Sequence, residues 1–282
     1  MKRIIIFGVG YYGRAILRML NRSPEEYNII CFIDNNNDLD GSELFGIPIF
    51  APNKLIEIDF ELIVMAGRST KDQVAQLEND FNISSNKFKV LKKSDVTILN
   101  ASREKKTIEM INILVEVLNK NNLNYWFDYS SLLAIYRKDD FSHFSDVDVS
   151  LISNNDMEVL FKELSCLENN SIEVKKFYTK DSSPRKVFGI SMTSIVDLEK
   201  EEPATIVIAI KLLRDGNYYS DINGRDSCTP MKYFSGFIIK YYLGLKLRVP
   251  LHTKEYLEHV YGSEWYTPAE YWHVDSYRNL IN

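Results

Sequence analysis

Near the start of the chain Ile4-Ile5-Ile6-Phe7 form a continuous apolar run, which gives way to Gly8, Gly10 and Gly13 and then to Ile16, Leu17 and Leu20 at helical spacing. A run apolar at every position suits a strand buried on both faces, so the pattern reads as strand, glycine turn, helix. A second such run, Ile29 to Ile33, ends in Asp34, 21 positions after Gly13. "FELIVMAG" supplies a further buried strand. The register then changes. Ile108, Ile111, Leu114, Val115 and Leu118 are spaced three and four apart, which predicts a long amphipathic helix opened by Asn100 or Ser102 and ended by Asn121-Asn122. A domain boundary is expected near residues 95 to 102, giving domains over 1–98 and 99–282 with no Gly/Pro/Ser-rich linker between them.

After that helix, Tyr125-Trp126-Phe127 reads as a strand and Ser130-Ser131 opens a short helix carrying Leu132, Leu133 and Ile135. Phe144 to Leu151, "FSDVDVSL", alternates as a strand does, so Asp146 and Asp148 project from one side. Two carboxylates that close repel each other and raise one of their pKa values. A divalent cation removes the conflict: Mg²⁺ (or Mn²⁺) takes oxygen ligands, commonly one or two carboxylates plus phosphate oxygens. A helix start just upstream of an acidic strand is the arrangement of the nucleotidyltransferase fold, in which the helix receives phosphate and the acids receive metal.

In the first half, glycines that let backbone amides meet a diphosphate and an acid placed for ribose hydroxyls describe a Rossmann-like turn. Gly8, Gly10, Tyr11, Tyr12, Gly13 and Asp34 are its candidate nucleotide-binding residues. The two tyrosines either stack on a base or sugar or pack under the loop. Tyr11, Tyr12 and Tyr27 lack a lysine four residues on, so the Tyr-x-x-x-Lys pair of short-chain hydride-transferring enzymes is missing from this half. The expected fold class is α/β: an N-terminal Rossmann-like parallel sheet followed by an α+β nucleotidyltransferase-like domain.

Composition narrows the partners. The chain has 282 residues, 45% apolar and 26% charged, with a net charge of -5. This is enough for one large core or two ordinary ones, and it carries no general basic footprint for nucleic acid. Cys31, Cys166 and Cys228 are odd in number and far apart, which argues against a disulfide framework and fits a reducing cytoplasm. The apolar runs are strand-sized, so no transmembrane segment is expected. His252, His259 and His273 have no metal spacing, and His143 reads as a loop residue that either contacts phosphate or is simply exposed.

Two resemblances add to these readings. The first 90 residues or so resemble the small nucleotide-sugar or dinucleotide-binding domains attached to bacterial sugar-modifying enzymes, such as sugar O-acyltransferases and nucleotide-sugar dehydratases, which implies a nucleotide or nucleotide-sugar ligand. "SSLLAIYRKDDFSHFSDVDVSLI" looks like the signature of the LicD family of phosphotransferases, in which Gly-Gly-Thr-Leu-Leu-Gly-x-x-Arg precedes a strand ending Asp-Ile-Asp. "VPLHTKEYLEHVYGSEWYTPAEYW" matches that family's closing pattern, so the resemblance spans about residues 103 to 272.

The second resemblance implies metal-dependent transfer of a phospho-alcohol, such as phosphocholine or ribitol phosphate, from a CDP-linked donor to a sugar hydroxyl. Fukutin-related proteins belong to the same group. Asp146 and Asp148 match the metal pair, Arg137 the arginine after the helix, and Ser130-Ser131 the Gly-Thr step. Tyr129 and Ser130 stand where the family has glycines, and Phe144 and Ser145 where it often has acids. A third carboxylate is expected on a later strand, where alignment places Ala209, with Lys211 two residues on as a candidate substrate contact; Asp197 is the alternative. Trp265 and Trp272 read as a hydrophobic C-terminal lock or as stacking residues. Competing readings are a degenerate transferase that binds a nucleotide or nucleotide-sugar, a nucleotidyltransferase moving a nucleoside monophosphate, and an NAD-dependent oxidoreductase without a visible catalytic acid or base. The sequence leaves oligomeric state open, a homo-oligomer included.

Overall fold

The computed structural model describes residues 1–67, 69–96, 101–139, 141, 144, 146–167, 171–178, 187–222, 225–269 and 274–281. Asn100, His143, Ser145, Trp272 and His273 lie outside them. The chain divides into two compact units, Met1–Ile98 with Ala269–Val274 and Leu99–Pro268 with Asp275–Asn282.

The first unit runs β1 (Lys2–Phe7), α1 (Tyr11–Leu20), β2 (Tyr27–Ile33), β3 (Glu43–Leu44), β4 (Ile47–Phe50), β5 (Leu62–Met65), α2 (Thr70–Asn79), β6 (Phe88–Val90) and α3 (Lys93–Val96). Its sheet has the order β3-β4-β2-β1-β5-β6, parallel throughout apart from the edge pair β3–β4. From β4 to β6 this is the Rossmann order, in which the chain turns back at β1 and opens a crevice at the strands' C-terminal ends. The apolar run of β1 feeds two cores. Ile4 and Ile6 pack with Phe32, Val64, Ile16, Leu17 and Leu20, while Ile5 and Phe7 pack with Cys31, Ile63, Met65 and Leu77. Such two-sided burial stabilises by roughly 1.5–3 kcal/mol per large apolar side chain, which is why no polar residue interrupts Ile4 to Phe7, while Lys2 and Arg3 occupy the exposed start of β1.

The second unit runs α4 (Ala101–Lys120), β7 (Tyr125–Phe127), α5 (Tyr129–Arg137), β8 (Val147–Leu151), α6 (Asn154–Ser165), β9 (Ile172–Tyr178), β10 (Val187–Ser194), β11 (Thr205–Ile210), β12 (Leu212–Arg214), β13 (Asn217–Ile222), β14 (Arg225–Pro230), β15 (Phe237–Tyr242), β16 (Leu245–Pro250) and α7 (Thr253–Tyr261). Its main sheet has the order β7-β8-β11-β10-β9, with β8 and β11 parallel and the other pairs antiparallel. β12–β14 form a meander and β15–β16 a hairpin.

The register of the main sheet separates two faces. Phe127, Val149, Ile208 and Ile190 are aligned across neighbouring strands on one face, all fully or almost fully buried. Helices α4 and α6 pack on the sheet through Met110, Ile111, Leu114 and Leu118 and through Met157, Leu160 and Leu164. The opposite face carries Asp148 and Ser150 on β8, Val207 and Ala209 on β11 and Ser191 on β10. One face of this mixed sheet is therefore dry and the other polar. No helix among the described residues is long and apolar enough to cross a membrane.

Candidate active site

The polar face is richest where β7, β8 and the start of α5 meet. Asp146 immediately precedes β8, and Asp148 lies two residues on, both half-buried. Asp148 accepts hydrogen bonds from the backbone N–H of Ser130 (3.1 Å) and from the Ser130 hydroxyl. Its own N–H donates to Ser131 Oγ (2.6 Å). The first turn of α5 is thus tied to the acidic strand by both serines, and the carboxylate lies on the positive end of the helix. Ser130 remains half-buried, whereas Ser131 is 1% exposed and works as an internal strut.

A third carboxylate lies on this face, on a different strand from the one the sequence pointed to. Ala209 faces Ser150 and Val207 faces Asp148, so β11 brings no acid to the pair. Asp197 lies beyond β10 in a surface turn, bonded to Lys200 (2.7 Å) and to the Glu199 N–H (3.1 Å). Its pKa is held down by those two partners. The neighbour of Asp148 is Asp128, at the end of β7, whose N–H donates to the Asp148 carbonyl (2.9 Å). Asp128 is fully buried and caps α5 through the Tyr129 N–H (2.8 Å). It also accepts from Ser150 Oγ (2.5 Å) and Tyr256 Oη (2.6 Å), and it forms an ion pair with Lys211 Nζ at 2.9 Å.

Lys211 is therefore part of the scaffold, 1% exposed, with its ammonium 3.2 Å from Tyr129 Oη and 4.5 Å from that ring's centre. Burial alone lowers its pKa, but the Asp128 charge, Tyr129 and the hydrogen bonds to both outweigh it and raise the pKa. A buried carboxylate with four donors is the satisfied arrangement that buried charges require. Nearby, burial, then Tyr277 and Asp148, push the Tyr261 hydroxyl well above the ordinary tyrosine range. The sequence carried a local hint of Asp128, a helix-capping acid ahead of Ser130-Ser131, but no local signal of its cationic partner.

Arg137 is half-buried at the far end of α5. Its Nη2 donates to the carbonyls of Trp265 and Thr267 (3.1 Å), and burial lowers its pKa. Trp265 meets the Tyr136 ring edge-on at 6.2 Å, the packing role among those expected for it. The C-terminal segment is pinned to α5 by this pair of contacts.

In the first unit, Gly8 has φ +98° and a Cβ on Gly13 would fall 1.7 Å from the Gly8 carbonyl oxygen, so both positions require glycine. A Cβ on Gly10 would meet nothing within 4 Å, and Gly10 caps α1 without a side-chain bond. Asp34 accepts from the Val9 N–H (2.9 Å) and the Asn36 N–H (2.9 Å), shaping the turn from within. The Tyr12 ring lies against Gly67, where an added Cβ would stand 2.5 Å from it, and Tyr11 meets Tyr12 edge-on. Gln73 of α2, 8% exposed, points its amide at Gly8 and leaves its Oε1 buried without a partner. Position spacing could not have found Gln73, since it reaches the turn across the sheet.

Among the described residues no three His, Cys, Asp or Glu side chains are grouped to hold a metal. Asp148, the Ser130 hydroxyl bonded to it and Asp146 two residues earlier are all oxygen groups, the ligand type a hard cation takes.

Residues 1–89 match the family model "C2185-like, N-terminal". No curated protein matches the chain in sequence. Among solved structures, UDP-D-quinovosamine 4-dehydrogenase from Vibrio fischeri is 22% identical over 32% of this chain and 75% of that one, with a TM-score of 0.25. The lincomycin-bound lincosamide antibiotic adenylyltransferase LnuA is 14% identical over 51% of this chain and 78% of its own, with a TM-score of 0.31. The antibiotic-resistance factor ANT(2'')-Ia is 10% identical over 52% and 66%, with a TM-score of 0.29. Likeness at this level says nothing of ligand or reaction, which leaves the chemistry to the chain's own groups.

Proposed function

We propose that residues 99–282 form a metal-dependent phosphotransferase of the LicD type, which moves a phospho-alcohol from a CDP-linked donor to a sugar hydroxyl of a cell-surface glycan. Residues 1–98 would be a Rossmann-like domain for a nucleotide or nucleotide-sugar, and the cytoplasm is the expected compartment. The observation that carries this reading is the half-buried Asp148 on the polar face of β8, bonded to the first turn of α5, with half-buried Asp146 immediately before the strand. Asp146 and Asp148 would hold Mg²⁺ or Mn²⁺, with the Ser130 hydroxyl beside them. When bound, the metal supplies positive charge against the donor diphosphate. The chain's own contribution is to orient: Asp128 and Lys211 fix the end of β7 and the start of α5, and Ser130 and Ser131 fix Asp148.

The test is turnover of a CDP-alcohol donor with and without Mg²⁺. Asp146→Asn should lower metal-dependent turnover by about two orders of magnitude or more while leaving far-UV circular dichroism unchanged. Full activity in that variant would remove the assignment. A second reading, a relative that binds nucleotide without turning it over, is favoured by Val207 and Ala209, which leave β11 without a carboxylate. It predicts Mg²⁺-dependent binding of the donor, lost in Asp146→Asn, with no product. Release of pyrophosphate from CTP would instead support a nucleotidyltransferase.

A further inference from the structure

The β15–β16 hairpin presents an outward face that folding leaves uncovered. Leu245, Leu247 and Val249 point inward and are buried. On the other side, Phe237 and Ile239 are each 46% exposed and Tyr241 is 74% exposed. Register places Ile239 opposite Arg248 and Tyr241 opposite Lys246, so this face alternates apolar with cationic side chains. The two strands are joined by Leu243 and Gly244, both at positive φ (50° and 76°). That is the two-residue turn normally given to Asn-Gly, because an L side chain in this conformation is strained. Here the position is taken by a leucine that remains 38% exposed.

Charge is segregated around the same hairpin. From Ser227 to Lys254 the sequence has five cations, Lys232, Lys240, Lys246, Arg248 and Lys254, and no carboxylate, in a protein whose net charge is -5. Lys232, Lys246 and Lys254 are exposed. A second copy of this face would set lysine against lysine, which disfavours self-association through it. Nucleic acid would leave the isoleucine and leucine unpaired. An apolar, tyrosine-bearing face that carries Lys246 and Arg248 instead fits the boundary of an anionic bilayer, where aliphatic side chains enter the acyl region, tyrosine sits at headgroup level and cationic side chains reach the phosphates.

We propose that the β15–β16 hairpin docks the protein peripherally on an anionic lipid surface, with Ile239, Tyr241 and Leu243 entering the interface and Lys246 and its neighbours contacting lipid phosphate. The proposal is independent of the reaction assigned above. It is tested by co-sedimentation of the full chain with phosphatidylglycerol-containing vesicles and with vesicles of phosphatidylcholine alone. The expected result is about tenfold more binding to the anionic vesicles, reduced by salt, although the acidic protein as a whole would be repelled by them. Tyr241→Ser with Leu243→Asn should reduce that binding about tenfold, since asparagine suits the turn and only the apolar apex is lost. An unchanged circular dichroism spectrum would accompany the loss. Equal sedimentation of wild type and variant, absence of an anionic preference, or a concentration-dependent dimer abolished by the same substitutions would overturn the proposal.

Discussion

Each unit places an aspartate against the first turn of a helix, and the two solutions differ in what they leave for a ligand. In the first unit Asp34 accepts from Val9, ahead of the helix, and Gly10 at the start of α1 has no side-chain cap and open space where its Cβ would be. In the second, Asp128 takes the amide of Tyr129 and Asp148 takes that of Ser130, so the opening amides of α5 are already matched to carboxylates. A glycine turn offers amides to an anion from outside, whereas a carboxylate-capped turn offers negative charge and must meet an anion through a cation. On the function proposed above, the first unit would meet a phosphate directly and the second through a metal.

The largest expected effect comes from breaking the internal charge balance of the second unit. Lys211→Ala should destabilise by about 3–5 kcal/mol in urea unfolding, because it leaves Asp128 buried and unpaired. Lys211→Met combined with Asp128→Asn should recover most of the loss, since removing both charges also removes their desolvation cost. With the folded pKa of Lys211 raised, the stabilisation by its charge is complete below the ordinary lysine range and declines only as pH rises above it. Stability measured between pH 6 and about pH 9 should thus show no loss from this pair.

Next in size is the contrast between two glycines of one turn. Gly13→Ala forces a Cβ against the Gly8 carbonyl and should cost about 1–3 kcal/mol, while Gly10→Ala should change thermal unfolding little. If both were equally harmful, the open start of α1 would be misdescribed. Ser130→Ala removes the hydroxyl bond to Asp148 and should cost about 1 kcal/mol, making the second helix start more like the first. The smallest effect concerns the thiols. Burial pushes the Cys31 thiol up to about 11, whereas Cys166 is exposed, so alkylation at pH 8 should mark Cys166 first and reach Cys31 only on unfolding.

What could be read from the sequence follows from how far its physical causes reach along the chain. The glycine turn and the outward face of Asp148 on β8 depend on spacings of a few residues, and periodicity reports those directly, although the strand expected from Phe144 begins only at Val147 and leaves Asp146 just before it. The partner of Asp128 does not, because it lies 83 residues away and depends on β11 entering the sheet beside β8 rather than at an edge. Alignment placed Lys211 two residues after Ala209 but did not tell whether that end of the strand is wet or dry. Arg137 was identifiable as a cation at a helix end, yet its carbonyl partners at Trp265 and Thr267 belong to a distant segment. The expectation of phosphate contacts at Ser131 and Lys211 met two side chains consumed inside the scaffold.

The place of β11 between β8 and β10 also bears on the order in which the second unit assembles. β7, α5 and β8 are close in sequence and can associate early, with Asp128 still hydrated and the turn of α5 already formed. Lys211 reaches that carboxylate only when a strand from some 60 residues further on has inserted, so the ion pair forms with a long-range step. Weakening it should speed unfolding while leaving the folding rate nearly unchanged, which makes Lys211 a determinant of how long the assembled sheet lasts rather than of how quickly it is found.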